Sequence, residues 1–210
     1  LDLRDNERRF LEIWVEEGGQ EKKLIFSGDL GNFDQPIIRD PSIVEKGDVL
    51  WLESTYGDRL HKTREETVQE LLKIVQEAIA HQAKVVIPAF AVERTQDIIY
   101  TLGQFIRNGS IPSIPIYIDS PLAISATEIF KRNSDCFDQE TKDLLSGGEN
   151  PLDIPGILYT QTTEESKAIP HFGRKVIIAG SGMSNGGRIL HHEKRYLSDS
   201  KSTLLLIGYQ

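Results

Sequence analysis

Apolar residues follow two rhythms along the chain, and the change between them divides it. Phe10-Leu11-Glu12-Ile13-Trp14-Val15 and Leu24-Ile25-Phe26 are short β-forming runs on either side of the polar, glycine-rich Glu16-Glu17-Gly18-Gly19-Gln20. Strand, turn and strand at that spacing predict a β-hairpin. A loop over 31–41 and a turn at Lys46-Gly47-Asp48 lead into Val49-Leu50-Trp51-Leu52, a run that predicts a buried strand ending at Glu53. Residues 1–56 are therefore expected to be mainly β.

Beyond Arg59 the period becomes helical. Thr63-Arg64-Glu65-Glu66 has the Ser/Thr-x-x-Glu capping pattern, and Val68, Leu71, Leu72, Val75 and Ile79 follow at helix spacing. Lys84 to Phe90 predicts a buried strand, and Arg94 to Arg107 a helix with Ile98, Ile99, Leu102 and Phe105 inward. A strand at Pro115–Ile118 runs into Asp119-Ser120-Pro121, where Ser120 can cap a helix that starts on Pro121 and carries Ile124, Ile129 and Phe130. The pattern continues with a helix over 138–145, a strand over 157–159 and a helix over 162–168. A strand over 175–179, a helix over 187–197 and a strand over 203–207 complete it.

Strands alternating with helices predict an α/β fold, a mostly parallel sheet with helices on both faces, preceded by a short β-rich piece. The expected boundary falls after the Glu53 turn, giving domains at 1–56 and 57–210. Ligands of open α/β sheets bind outside the carboxyl ends of the strands, so the turns that end strands are where chemistry is expected.

Composition narrows the partners. The 210 residues are 39% hydrophobic, enough for a packed core, and carry a formal charge of -8. That charge opposes indiscriminate binding of a polyanion, so a nucleic-acid partner requires positive groups gathered in a cleft. The single cysteine, Cys136, can form no internal disulfide and fits a reducing compartment. No run reaches the roughly 18 apolar residues of a membrane span. The chain starts Leu1-Asp2-Leu3-Arg4-Asp5, without Met, and reads as a soluble cytoplasmic fragment of a longer polypeptide.

Two carboxylates stand at predicted strand ends. Asp29 follows Leu24-Ile25-Phe26 between Gly28 and Gly31, and reads either as a divalent-metal ligand or as a turn cap. Glu53 ends Val-Leu-Trp-Leu, where a carboxylate is costly unless paired. It reads either as an acid-base group or as one half of an ion pair with Arg59 or Arg94. We expect Asp29 and Glu53 to lie side by side at the ends of neighbouring strands. Ser181-Gly182-Met183-Ser184-Asn185-Gly186-Gly187-Arg188 follows a strand and opens a helix, which suits a phosphate or simply a tight turn. His191 and His192 diverge by about 100° on their helix and cannot easily share a metal, so they read as surface or interdomain polar residues. His61, His81 and His171 stand alone.

In order along the chain, several stretches resemble the β-CASP group of metallo-β-lactamase-fold nucleases. Ser27-Gly28-Asp29-Leu30-Gly31 is similar to a metal motif whose Asp bridges two zinc ions, and Glu53-Ser54-Thr55-Tyr56-Gly57-Asp58-Arg59 to the acidic motif that opens the β-CASP insertion. Ile87 to Gln96, Asp119 to Ala123, Ser181-Gly182-Met183, Gly186-Gly187-Arg188 and Gly208-Tyr209-Gln210 follow the same family. The variant looks most like the bacterial and archaeal RNA-processing members, which are similar to the endonuclease subunit of the pre-mRNA 3′-end machinery.

The resemblance implies catalytic roles for Asp29 and Glu53, with Asp29 bridging two Zn²⁺ that activate water against an RNA phosphodiester. It implies that Glu53 orients a histidine lying beyond Gln210, and that the family's H-x-H-x-D-H motif precedes Leu1. Ser54, Tyr56, Arg59, Ser120, Ser181, Gly182 and Arg188 would line an interdomain cleft holding the RNA phosphate backbone. The zinc site is expected to be incomplete in this chain and the chain itself inactive; a homodimer is left open. The alternative is a non-catalytic RNA-binding or scaffold module of an inactive family member.

Overall fold

Two adjacent glycines set the first pair of elements. Gly18 and Gly19 take φ of +61° and +74°, the double positive that the tightest hairpin turn requires. They join β1 (Leu11–Glu17) to β2 (Gln20–Phe26), antiparallel from Leu11↔Phe26 to Glu17↔Gln20. A third strand, β3 (Val49–Trp51), runs parallel to β2 with Leu24↔Val49 and Phe26↔Trp51 in register, and the Phe26 and Trp51 rings stack 4.7 Å apart. The computed structural model describes residues 10–31 and 33–208, so the start of the chain and the Tyr209-Gln210 end of the last motif lie outside the described residues.

The expectation of a buried strand at 49–52 is corrected. Val49, Leu50, Trp51 and Leu52 are 39–59% exposed. An apolar run predicts a strand without saying what covers it, and β3 is a three-residue edge of a three-stranded sheet. This sheet belongs to a compact unit made of the described residues up to His61 together with Asp135–Asp143. Within it Ile38 bridges Phe137, Asp138 N–H donates to Ile37 O at 2.9 Å, and Ile37 and Phe137 are each 1% exposed.

The second unit comprises Lys62–Ser134 and the described residues from Leu144 on. Its helices are α1 (Arg64–Ala80), α2 (Arg94–Arg107), α3 (Pro121–Arg132), α5 (Thr163–Ala168) and α6 (Ile189–Tyr196), while α4 (Gln139–Ser146) begins in the first unit. Its strands are β4 (Lys84–Pro88), β5 (Ile116–Asp119), β6 (Ile157–Tyr159), β7 (Lys175–Ala179) and β8 (Thr203–Leu204). They form an all-parallel sheet in the order β6-β5-β7-β4-β8.

Alternation along these strands shows that both faces are covered. Val86, Ile177 and Ala179 pack with Ile169, Ile189 and Tyr196 on one face. Val85, Ile87, Val176 and Ile178, which point the other way, are also at most 1% exposed. Burial on both sides is why these strands read as unbroken apolar runs.

Capping fixes where the helices begin. Thr63 and Glu66 form the reciprocal capping box of α1, and Ser120 Oγ accepts from Ala123 N–H at 3.2 Å with Pro121 at the first position of α3. Each such cap contributes about 1 kcal/mol. On α3 the inner face differs from expectation: Ala123, Ile124, Ala126 and Thr127 are buried, whereas Ile129 is 56% exposed. The expected strand at 203–207 is only two residues long, and α6 starts two residues late because Gly187 takes φ +75° and cannot begin a helix. Among the described residues no helix is long and apolar enough to cross a membrane.

Candidate functional site

The first candidate site is the edge where β2 and β3 end. Because the strands are parallel and in register, Ser27 and Leu52 leave the sheet on the same side. Ser27 N–H donates to Trp51 O at 2.9 Å, and Glu53 N–H donates to Ser27 Oγ at 2.9 Å, so the buried Ser27 joins the two strand ends. Gly28 then turns with φ +55°, and the Glu53 carboxylate accepts the N–H of Leu30. Asp29, exposed, lies in the turn that Glu53 holds. The expected juxtaposition of Asp29 and Glu53 is present, and it is made by the backbone of residues 27–30.

Both arginines considered as ion-pair partners of Glu53 lie against a neighbouring aspartate. Arg59 forms a two-pronged pair with Asp58, Nε to Oδ1 at 2.9 Å and Nη2 to Oδ2 at 3.1 Å, which lowers the pKa of Asp58. Arg94 pairs with Asp97 at 3.9 Å. Tyr56 takes φ +58° and sets its ring edge-on to His61 at 4.4 Å, while Gly57 N–H closes the turn onto Ser54 O at 2.9 Å. Ser54, Tyr56 and Arg59 thus form one tight, largely exposed turn directly after Glu53.

The second candidate site is the carboxyl edge of the parallel sheet. The chain leaves β5 toward β6 and leaves β7 toward β8, in opposite directions, so the adjacent ends of β5 and β7 form a topological switch point. Asp119 and Ala179 are in register there, which sets Ser120 opposite Gly180; a Cβ on Gly180 would stand 3.8 Å from Ser120 Oγ. The loop that follows folds on itself. Ser181 N–H donates to Gly186 O at 3.1 Å, Asn185 N–H to Ser181 Oγ at 3.3 Å and Ile189 N–H to Gly180 O at 3.0 Å. A Cβ on Gly187 would fall 2.4 Å from Gly180 O, and one on Gly182 would fall 2.8 Å from the Phe90 ring, so neither position has room for a side chain.

Beneath this loop is a polar cluster. Asp119, fully buried, accepts from Thr160 Oγ1 at 2.7 Å and Arg188 Nη1 at 2.8 Å on Oδ1, and from Ser166 Oγ at 2.6 Å and His192 Nε2 at 2.6 Å on Oδ2. Burial alone would raise its pKa, but the four hydrogen bonds outweigh burial and hold it at about 2. Arg188 also donates to Thr160 O at 2.8 Å and Gln161 O at 2.7 Å. Its guanidinium is therefore engaged inside the fold, beside the loop it was expected to serve.

With this geometry in view, comparison with known proteins assigns the family. Residues 95–210 match the family described as the Beta-Casp domain. The chain belongs to the β-CASP family. It is 42% identical to "Ribonuclease TTHA0252" of Thermus thermophilus over 91% of this chain and 44% of that protein. It is 35% identical to "Transcription termination factor FttA" of a Lokiarchaeum species over 94% of this chain and 32% of that protein. With "Endoribonuclease ysh1" of Schizosaccharomyces pombe it shares 29% identity over 89% of this chain and 24% of that protein. The chain spans less than half the length of each.

The β-CASP chain also holds partners that the sequence reading passed over. His192, read as a surface or interdomain residue, is 2% exposed and bonded to Asp119, whereas His191 is exposed. Adjacent helical residues diverge, so the spacing of His191 and His192 carries no information on what either one meets. The informative pair was Arg188 and His192, four apart and so on one helical face. Asp119 ends an apolar strand just as Glu53 does, and the same cost of burying a carboxylate called for cationic partners. Thr160 and Ser166 carried no local signal. Among the described residues no three His, Cys, Asp or Glu side chains converge as a metal site.

Proposed function

We propose that this chain is part of a zinc-dependent RNA-processing nuclease, to which it contributes one metal-bridging carboxylate and a surface that holds the RNA phosphate backbone. The observation that carries the reading is that Glu53 accepts from Leu30 N–H, next to Asp29, just beyond the ends of two parallel strands, in a chain whose relatives include proteins named ribonuclease and endoribonuclease.

Asp29 suits the metal role chemically: its carboxylate is exposed, held in a tight turn, and an oxygen donor of the kind that bridges two cations. It is one ligand of several that a two-zinc centre needs, and the others, histidines by family resemblance, would come from segments that this chain does not contain. When bound, the zinc ions supply Lewis acidity at the scissile phosphate and acidify water. Glu53 keeps the Asp29 turn in place through Leu30 N–H and orients a histidine supplied from outside the chain. Ser54, Tyr56 and Arg59 follow it as a turn that can meet the substrate. At the other edge Ser120, Ser181 and Gly182 receive phosphate oxygens, with Arg188 behind them.

On this reading the 210-residue chain alone does not cleave RNA in zinc, while a polypeptide that includes its natural flanking sequence does. Zinc-dependent turnover by the purified chain, abolished by Asp29→Ala, would overturn the proposal that the centre is completed from outside.

A further inference from the structure

We propose that Asp119 is a positioning residue for the phosphate-binding edge: one buried carboxylate that holds Arg188, His192, Ser166 and Thr160, and so fixes the backbone that Ser120 and residues 180–187 present to RNA. The inference rests on the reading of that edge given under Proposed function and adds to it the residue that sets its geometry.

Asp119 cannot touch a ligand itself, because it is fully buried. Every polar atom it bonds comes from a segment after another strand: Thr160 directly after β6, Ser166 on α5, Arg188 at the start of α6 and His192 one turn further on. Arg188 extends the set by bonding Thr160 O and Gln161 O. The segments that follow β5, β6 and β7 are thus joined at one point directly beside Ser120 and Gly180.

The hydrogen bonding also assigns the imidazole. An ionised carboxylate only accepts, so His192 Nε2 must carry the hydrogen it shares with Oδ2. Among the described residues the buried His192 Nδ1 has no hydrogen-bond partner. Asp119 thus fixes which ring nitrogen faces it and, with that, the orientation of the imidazole.

The alternative is that the cluster only stabilises the fold, and binding and stability measured together separate the two. The full 210-residue chain and its Asp119→Asn variant are titrated with a labelled single-stranded oligoribonucleotide, at a temperature where both are folded by circular dichroism. Amide NMR signals of residues 181–187 are recorded alongside. Asp119→Asn is expected to raise Kd about tenfold, the worth of one charge-assisted hydrogen bond, and to shift the 181–187 signals in the folded protein. Should Asp119→Asn fail to fold, Ser166→Ala and Thr160→Val, each removing one hydrogen bond, are expected to give the same shifts and a smaller rise in Kd. A lower melting temperature with Kd within about twofold of wild type and unmoved loop signals would overturn the positioning role. Absence of oligoribonucleotide binding by the wild-type chain would instead overturn the reading of the edge itself, and the inference with it.

Discussion

Acid should destabilise the second unit through Asp119. The Asp119 carboxyl lies at about 2 against its ordinary 3.8, because four hydrogen bonds outweigh its burial. A carboxylate depressed in the folded state contributes stability that is complete above its unfolded pKa and is lost as pH falls through the folded value. The window therefore runs from about pH 4 down to about pH 2. A gap of nearly two pH units at ~1.4 kcal/mol each is about 2.5 kcal/mol, of which about 1.6 kcal/mol is lost by about pH 2.5. The measurement is urea unfolding followed by far-ultraviolet circular dichroism, from about pH 6 to about pH 2.5, for wild type and Asp119→Asn. Tryptophan fluorescence would follow the other unit, since Trp14 and Trp51 both lie there. Asparagine cannot titrate, so the advantage of wild type should shrink by about 1.6 kcal/mol between about pH 6 and about pH 2.5. An advantage that stays constant with pH would refute the reasoning, because it would mean that Asp119 titrates alike in folded and unfolded chains.

Other parts of the structure give equally direct expectations. Gly187→Ala forces a Cβ onto Gly180 O at φ +75° and should lower stability by more than about 1 kcal/mol, read by thermal melting. Thr63→Ala removes the α1 capping box and should cost about 1 kcal/mol, with faster amide exchange confined to the first turn of that helix. Burial, then the charges of Lys84 and Arg195, hold the Lys175 pKa down to about 8. The folded chain therefore binds fewer protons than the unfolded one between about pH 8 and pH 10.5, and stability should rise with pH there. In Lys175→Met that rise should be smaller.

Local chemistry was legible and tertiary partnership was not. The capping box at Thr63 and Glu66, the Ser120-Pro121 helix start and the carboxylates at strand ends could be read because each depends on residues a few positions apart. The parallel sheet was legible because burial on both faces leaves unbroken apolar runs at β4, β5 and β7. Exposure of β3 was hidden by the same logic, since an apolar run looks alike whether or not something covers it. That Asp135–Asp143 belongs with the first unit, through Ile37, Ile38 and Phe137, leaves no mark on local periodicity. The cluster around Asp119 joins positions 41 to 73 residues away. Only the spacing of Arg188 and His192, and a carboxylate ending the apolar run of β5, pointed to it.

The central claim is that Glu53 serves RNA cleavage, and it is tested most directly by kinetics in a polypeptide that includes the chain's natural flanking sequence, which the proposed function expects to cleave RNA in zinc. Glu53→Ala should lower kcat there by at least about a hundredfold, the scale of a lost acid-base or histidine-orienting group, while the melting temperature changes little. A variant that loses its stability but keeps a rate within about twofold of wild type when folded would contradict the account, and would leave Glu53 as a brace for the Asp29 turn alone.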